Sequence, residues 1–211
     1  MSKYLTEVIG TFFLVLTIGL AVLGGAAMAP LAIGASLMVM VYMGGHISGA
    51  HYNPAVSLAV LMRGKLEAKE FAIYVICQVA GATLAALAVR AILGETFAPA
   101  PGAGAGTLAI LLVEFLYTFA LALVVLNVAT ADATSGNSFY GLAIGFTVAV
   151  GAVAGGGISG GAFNPAVGTG PTLVHALAGD GSFAHWWYYL VGPFAGGAAA
   201  AWVFKLQHPD S

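Results

Sequence analysis

Residues 31–56 read LAIGASLMVMVYMGGHISGAHYNPAV, and residues 142–167 read LAIGFTVAVGAVAGGGISGGAFNPAV. The second stretch repeats the first without a gap, at an offset of 111 residues in a chain of 211, with just over half of the positions identical. Two copies of one unit fix the architecture before any local reading does. Both copies end in Asn-Pro-Ala-Val. The repeat therefore also marks candidate functional positions: Asn53, Pro54 and Ala55 in the first copy, Asn164, Pro165 and Ala166 in the second.

Composition sets the environment. The chain is 60% hydrophobic and 7% charged, whereas a soluble domain carries roughly 25% charged residues. So few charges cannot cover a water-exposed surface, and the chain reads as a multi-span protein of the lipid bilayer. Six Lys plus Arg against eight Asp plus Glu leave no basic patch for nucleic acid. A single cysteine, Cys77, excludes an internal disulfide and a thiolate metal cluster. No nucleophile–base pair or metal-ligand spacing points to an enzyme, a metal or a cofactor. The first apolar run, from Tyr4, is too long for the apolar core of a cleavable signal peptide.

A spanning helix needs about 20 apolar residues. Six segments are long enough, at roughly 4–24, 30–46, 69–93, 107–129, 138–156 and 184–206. Two more, near 53–62 and 164–174, are only half that length. Each copy thus holds three spans and one half-span. Because three is odd, the second copy must enter the membrane from the opposite side, and the copies form an inverted repeat. The expected organisation is one all-α membrane channel domain over 1–211. Repeat one covers approximately 1–97, repeat two covers 108–211, and the Pro/Gly/Ala linker 98–107 (APAPGAGAGT) joins them. Lys3, Arg63, Lys65, Lys69 and Lys205 fall on one side of this six-span arrangement, and only Arg90 lies near the other. Both termini are therefore expected on the cytoplasmic side of the plasma (cell inner) membrane.

Asn is a strong N-cap and Pro is favoured at the first helical position, so Asn53-Pro54 and Asn164-Pro165 each predict a helix start. A lone Asn-Pro does no more than begin a helix. Two of them at equal repeat positions, each opening a half-length apolar helix, point to two starts meeting at the membrane midplane. Each N-terminus carries roughly half a positive charge, so the meeting point repels cations. With each Asn carbonyl capping its own helix, the two side-chain NH2 groups remain as donors to whatever passes. A water held by both would point its hydrogens away in both directions and interrupt a proton wire. The segments before each start, 47–52 and 158–163, are Gly-rich and read as non-helical. Bare backbone at membrane depth must line a cavity or be buried in protein. The carbonyls of Gly49, Ala50 and His51, and of Gly160, Gly161 and Ala162, are the expected acceptor ladder.

Glu7 and Glu114 sit inside the first span of each copy. An intramembrane carboxylate is costly and is a functional candidate by default. Each is expected to accept hydrogen bonds from re-entrant backbone, with a proton-carrying site or an interfacial placement as the alternatives. Gln78 in the third span is a candidate for similar tethering. His46, His51, His175, Asp180 and His185 match no metal-ligand spacing, and Cys77 reads as a small core residue.

The chain resembles the aquaporins of the major intrinsic protein family over nearly its whole length. The resemblance is carried by Glu7-Val8-Ile9-Gly10-Thr11-Phe12 and by His46-Ile47-Ser48-Gly49-Ala50-His51 before the first triplet. Gln78-Val79-Ala80-Gly81, the second triplet, Trp187, and Gly192-Pro193-Phe194-Ala195-Gly196-Gly197 complete it. It implies six spans, two half-helices, one pore per subunit and a homotetramer, with passive permeation of water or small neutral solutes. The family usually carries Arg directly after the second triplet, where it helps to form a narrow outer filter with an aromatic residue. Aligned on this chain, that filter falls at Ile33, Ala152, Gly161 and Val167, none of them aromatic, charged or a side-chain donor. The opening is expected to be wide and apolar, with ion exclusion resting on the helix dipoles. Glycerol-type members place Asp after the Arg, and here Gly168 follows Val167, so the motif does not support a glycerol assignment. Arg90 is the one other candidate to fill the missing Arg's place in space. Water, a broad set of neutral solutes (glycerol, urea, peroxide, ammonia, gas), an ion leak, and a non-conducting structural role remain open at this level.

Overall fold

The computed structural model describes residues 1–179 and 181–209. Eight α-helices account for most of them, and there is no strand among the described residues. In order they are α1 (Ser2–Leu23), α2 (Ala29–Ser48), α3 (Pro54–Met62), α4 (Ala68–Leu93), α5 (Thr107–Thr130), α6 (Tyr140–Ser159), α7 (Pro165–Leu177) and α8 (Tyr188–Gln207). Six are apolar and 20 to 26 residues long, enough to cross a bilayer. The other two, α3 with 9 residues and α7 with 13, rise only about 14 and 20 Å.

The outer face of the bundle keeps its apolar side chains exposed, as lipid requires. Ile76, Leu84, Leu116, Val153 and Trp202 are all more than half uncovered. Lipid tails are as apolar as Leu, so burial of such groups does not draw helices together, and close approach of small residues does. The α2–α6 crossing demonstrates this. A Cβ placed on Gly34 would stand 2.6 Å from the Gly145 carbonyl oxygen, and one on Gly145 would stand 2.4 Å from that of Gly34. Helix α1 packs on α4 and α2, and α5 on α8 and α6. The half-helices cross over: α3 packs against α8, and α7 against α4.

Four boundaries differ from the sequence reading. Residues 47–48 and 158–159 are helical, so the non-helical loops are shorter than expected. Each helix runs on until a glycine at the C-cap, Gly49 (φ +83°) or Gly160 (φ +94°), takes the left-handed conformation. The last span begins at Tyr188, because residues 183–187 form turns. Helix α7 continues to Leu177 through Pro171. The polar loop 130–139 contains a single 3-10 turn, Asp132–Thr134.

Candidate functional site

Each half-helix starts in the same way. Asn53 Oδ1 accepts from the backbone N–H of Ala55 at 2.8 Å, and Asn164 Oδ1 accepts from that of Ala166 at 2.9 Å, each followed by Pro at the first helical position. The amide nitrogens then cross over. Asn53 Nδ2 donates to the Phe163 carbonyl at 2.9 Å, and Asn164 Nδ2 donates to the Tyr52 carbonyl at 2.9 Å. The offset of 111 residues exchanges these two bonds. Each NH2 group has two hydrogens, so one is spent on the opposite loop and one is left on each Asn.

The loops that present these starts hang on two buried carboxylates. Glu7 is fully buried and accepts four hydrogen bonds: from Ser48 Oγ (2.7 Å), His51 N (3.0 Å), Tyr52 N (2.7 Å) and Gln78 Nε2 (2.8 Å). Glu114, also fully buried, accepts three: from Ser159 Oγ (2.7 Å), Ala162 N (3.0 Å) and Phe163 N (2.7 Å). Neither carboxylate lies at an exposed membrane interface. Drawing successive N–H groups toward one carboxylate bends the chain into positive φ at Ala50 (51°), Tyr52 (49°) and Phe163 (50°), a region that non-glycine residues occupy only under constraint.

The two halves differ in what braces them. In the first, Gln78 Nε2 also donates to Ser57 Oγ at 2.9 Å, and Ser57 Oγ lies 3.0 Å from His51 Nδ1. Their counterparts in the second half are Pro193, Gly168 and Ala162, which cannot form that chain. There the Tyr189 Cβ lies 2.4 Å from the place of a Cβ on Gly168, and the Tyr189 hydroxyl donates to the Ser159 carbonyl at 2.6 Å. Tyr74 is its counterpart on α4 and makes the matching bond to the Ser48 carbonyl at 2.8 Å.

Both Asn residues line a cavity of about 410 Å³. Ile33, Ala152, Gly161 and Val167 line it together, with Ala50, His51, Gly160 and Ala162. Among the described residues no Lys, Arg, Asp or Glu lines it. The Tyr52 hydroxyl is occupied by the Met40 carbonyl at 2.9 Å, which leaves Asn53, Asn164 and His51 as its polar side chains. A second cavity, of about 690 Å³, is lined by Gly49, His46, Lys65, Glu70 and the 130–137 loop, and shares His51, Val125 and Ile144 with the first. The two open toward opposite ends of the bundle and meet beside His51.

Other candidates lie elsewhere. Arg90 is exposed and lines neither cavity, so it does not stand in for a filter Arg. The Arg63 guanidinium lies over the Phe204 ring. Cys77 is half-buried on α4 and lines neither cavity. His175 bonds to Thr96 at 2.7 Å, His185 stacks on Tyr188, and Asp180 lies outside the described residues. No metal-ligand cluster occurs among the described residues. The sequence reading missed the hydroxyls of Ser48 and Ser159, which are identical in the two copies. It also missed Ser57, the paired Tyr74 and Tyr189, which lie outside the gapless repeat, and the cavity-lining Phe97 and Pro99.

A sequence profile of the family described as major intrinsic protein matches residues 1–204. The chain is 38% identical over 219 residues to aquaporin NIP1-4 of Oryza sativa subsp. japonica, covering 98% of this chain and 77% of that one. It is 37% identical over 221 residues to glycerol uptake facilitator protein-like 6 of Lactiplantibacillus plantarum, covering 98% of each. The X-ray structure of the aquaglyceroporin from Plasmodium falciparum superposes with a TM-score of 0.88, over 99% of this chain and 97% of that one, at 20% identity, and shows the same fold.

Proposed function

The chain belongs to the major intrinsic protein family, and from that premise we propose that it passes water together with small uncharged solutes through a wide apolar filter formed by Ile33, Ala152, Gly161 and Val167. It is a multi-pass membrane protein of the aquaporin type, a channel and not an enzyme. The observation that carries the finer reading is the pair of Asn53 and Asn164, each with one amide hydrogen left, in a cavity whose remaining walls are almost wholly apolar.

A permeant is held at two points by the Asn donors and stripped of few other partners. Size and polarity, rather than a fixed charge, then discriminate among solutes. The positive ends of α3 and α7 face the permeant and oppose cations. A filter without Arg favours passage of solutes larger than water, and the glycerol-facilitator name of one relative supports glycerol among them. In this reading the pathway runs within one chain, built from halves at about 1–97 and 108–211 joined through 98–107. The chain assembles as a homotetramer in the plasma (cell inner) membrane with both termini cytoplasmic.

Proteoliposomes test this. Stopped-flow shrinkage is measured with an impermeant osmolyte, then with glycerol and urea, beside a trapped pH dye. Water, glycerol and urea are expected to cross faster than in empty liposomes, with no proton leak. Shrinkage no faster than in empty liposomes contradicts the channel reading, and a proton or cation current supports an ion leak instead.

A further inference from the structure

The connector between the two copies has no periodic pattern, yet it is held tightly across the mouth of the cavity that contains Asn53 and Asn164. At its start Thr96 Oγ1 bonds to His175 Nδ1 of α7 at 2.7 Å. The next residue, Phe97, is 8% exposed, and its ring is set into the groove between α1 and α4. An ideal Cβ on Gly19 would stand 2.5 Å from Phe97 Cε1 and 2.6 Å from Val89 Cγ2. At the far end the Gly102 N–H donates to the Ile158 carbonyl at 3.0 Å, and a Cβ on Gly102 would stand 2.0 Å from the Gly157 carbonyl oxygen. Between these anchors the backbone of Ala100 lies against Gly160, where a Cβ would be 2.6 Å from the Ala100 oxygen. Residues 97–100 all line the cavity that holds Ile33 and Val167.

We propose that residues 97–102 form a fixed outer rim of the pore and set its upper size limit for uncharged polyols, with Phe97 as the positioning residue and Pro99 at the rim itself. The inference rests on the channel reading above. Three attachments, to α7, to the α1–α4 groove and to the end of α6, hold the segment without a charged side chain. An apolar rim of fixed position discriminates by size, because its side chains offer a solute no hydrogen bond to replace the water it loses. Where the filter residues are small and carry no Arg, a rigid apolar boundary at the mouth adds a second size limit for the larger solutes.

Wild type, Phe97→Ala and Pro99→Trp are compared in proteoliposomes for water, glycerol and the four-carbon polyol erythritol, at equal protein incorporation. Removing the Phe97 ring frees the rim and is expected to raise the erythritol-to-water permeability ratio about tenfold. Filling the mouth with Trp at position 99 is expected to lower the glycerol-to-water ratio by a similar factor of about ten. If Phe97→Ala does not fold, the Pro99→Trp ratio decides alone. A wild type that conducts water while both ratios stay unchanged overturns the rim and leaves the channel reading intact. A wild type that conducts nothing overturns the channel reading itself.

Discussion

Asn53 and Asn164 are tied reciprocally, each donating at 2.9 Å to the carbonyl immediately before the other. Asn53 reaches Phe163, the neighbour of Asn164, and Asn164 reaches Tyr52, the neighbour of Asn53. Each half-helix start is thereby fixed by the opposite half, so the donor pair has one geometry.

Asn164→Asp separates the two tasks of the amide. The carboxylate still accepts from the Ala166 N–H, but it cannot donate to the Tyr52 carbonyl, and it places a negative charge where two helix N-termini oppose cations. The expected outcome is a measurable cation flux in proteoliposomes loaded with a potassium- or sodium-sensitive dye, with slower water permeation. A cation-tight Asn164→Asp variant would show that the amide charge balance does not control ions.

Glu7→Ala leaves two backbone N–H groups, one hydroxyl and one amide without their acceptor in a buried site. Hydrogen bonds to a charged group contribute about 1.5–3 kcal/mol each, and an orphaned buried donor costs about 1–3 kcal/mol. Thermal unfolding in detergent is expected to show a loss of several kcal/mol, or no folded protein. Gln78→Leu removes one of the four bonds to Glu7 together with the bond to Ser57, and should cost less, about 1–3 kcal/mol. Equal losses for the two variants would contradict the assignment of Glu7 as the anchor of the loop.

Gly34→Leu forces a branched side chain into the α2–α6 crossing, where even a Cβ falls 2.6 Å from the Gly145 carbonyl. Backbone cannot yield as a side-chain tip can, so the helices must part. Overpacking costs typically about 1–3 kcal/mol, and more when rigid elements move. The measurement is the unfolding midpoint against that of Ala32→Leu, two residues earlier on the exposed face of α2, which should stay near wild type.

What the sequence discloses is what the repeat duplicates. The Asn-Pro starts, the glycines at the helix ends, and Glu7 with Glu114 are chemically conspicuous in both halves, and the six spans follow from apolar length. The repeat is silent where the halves diverge. Gln78 has Pro193 as its counterpart, so the polar chain through Ser57 belongs to the first half, while Tyr74 and Tyr189 brace the two loops alike. Phe97 belongs to no pattern, and its place depends on a groove opened by Gly19, 78 positions earlier in the chain. Close approach between distant backbone segments has no local signature. For the same reason the helix ends at Ser48 and Ser159 were hard to read: glycine-rich sequence stays helical until a left-handed cap is reached.

The central claim is that an apolar filter, with Val167 where the family carries Arg, sets the solute range. Its most direct test is the glycerol-to-water permeability ratio of Val167→Arg against wild type in proteoliposomes. Val167 is 4% exposed and lines the cavity beside Asn164, so a guanidinium there adds bulk and five donors at the constriction. The account predicts that glycerol and urea permeation fall about tenfold or more while water permeation is largely retained. Unchanged glycerol and urea permeation would contradict it.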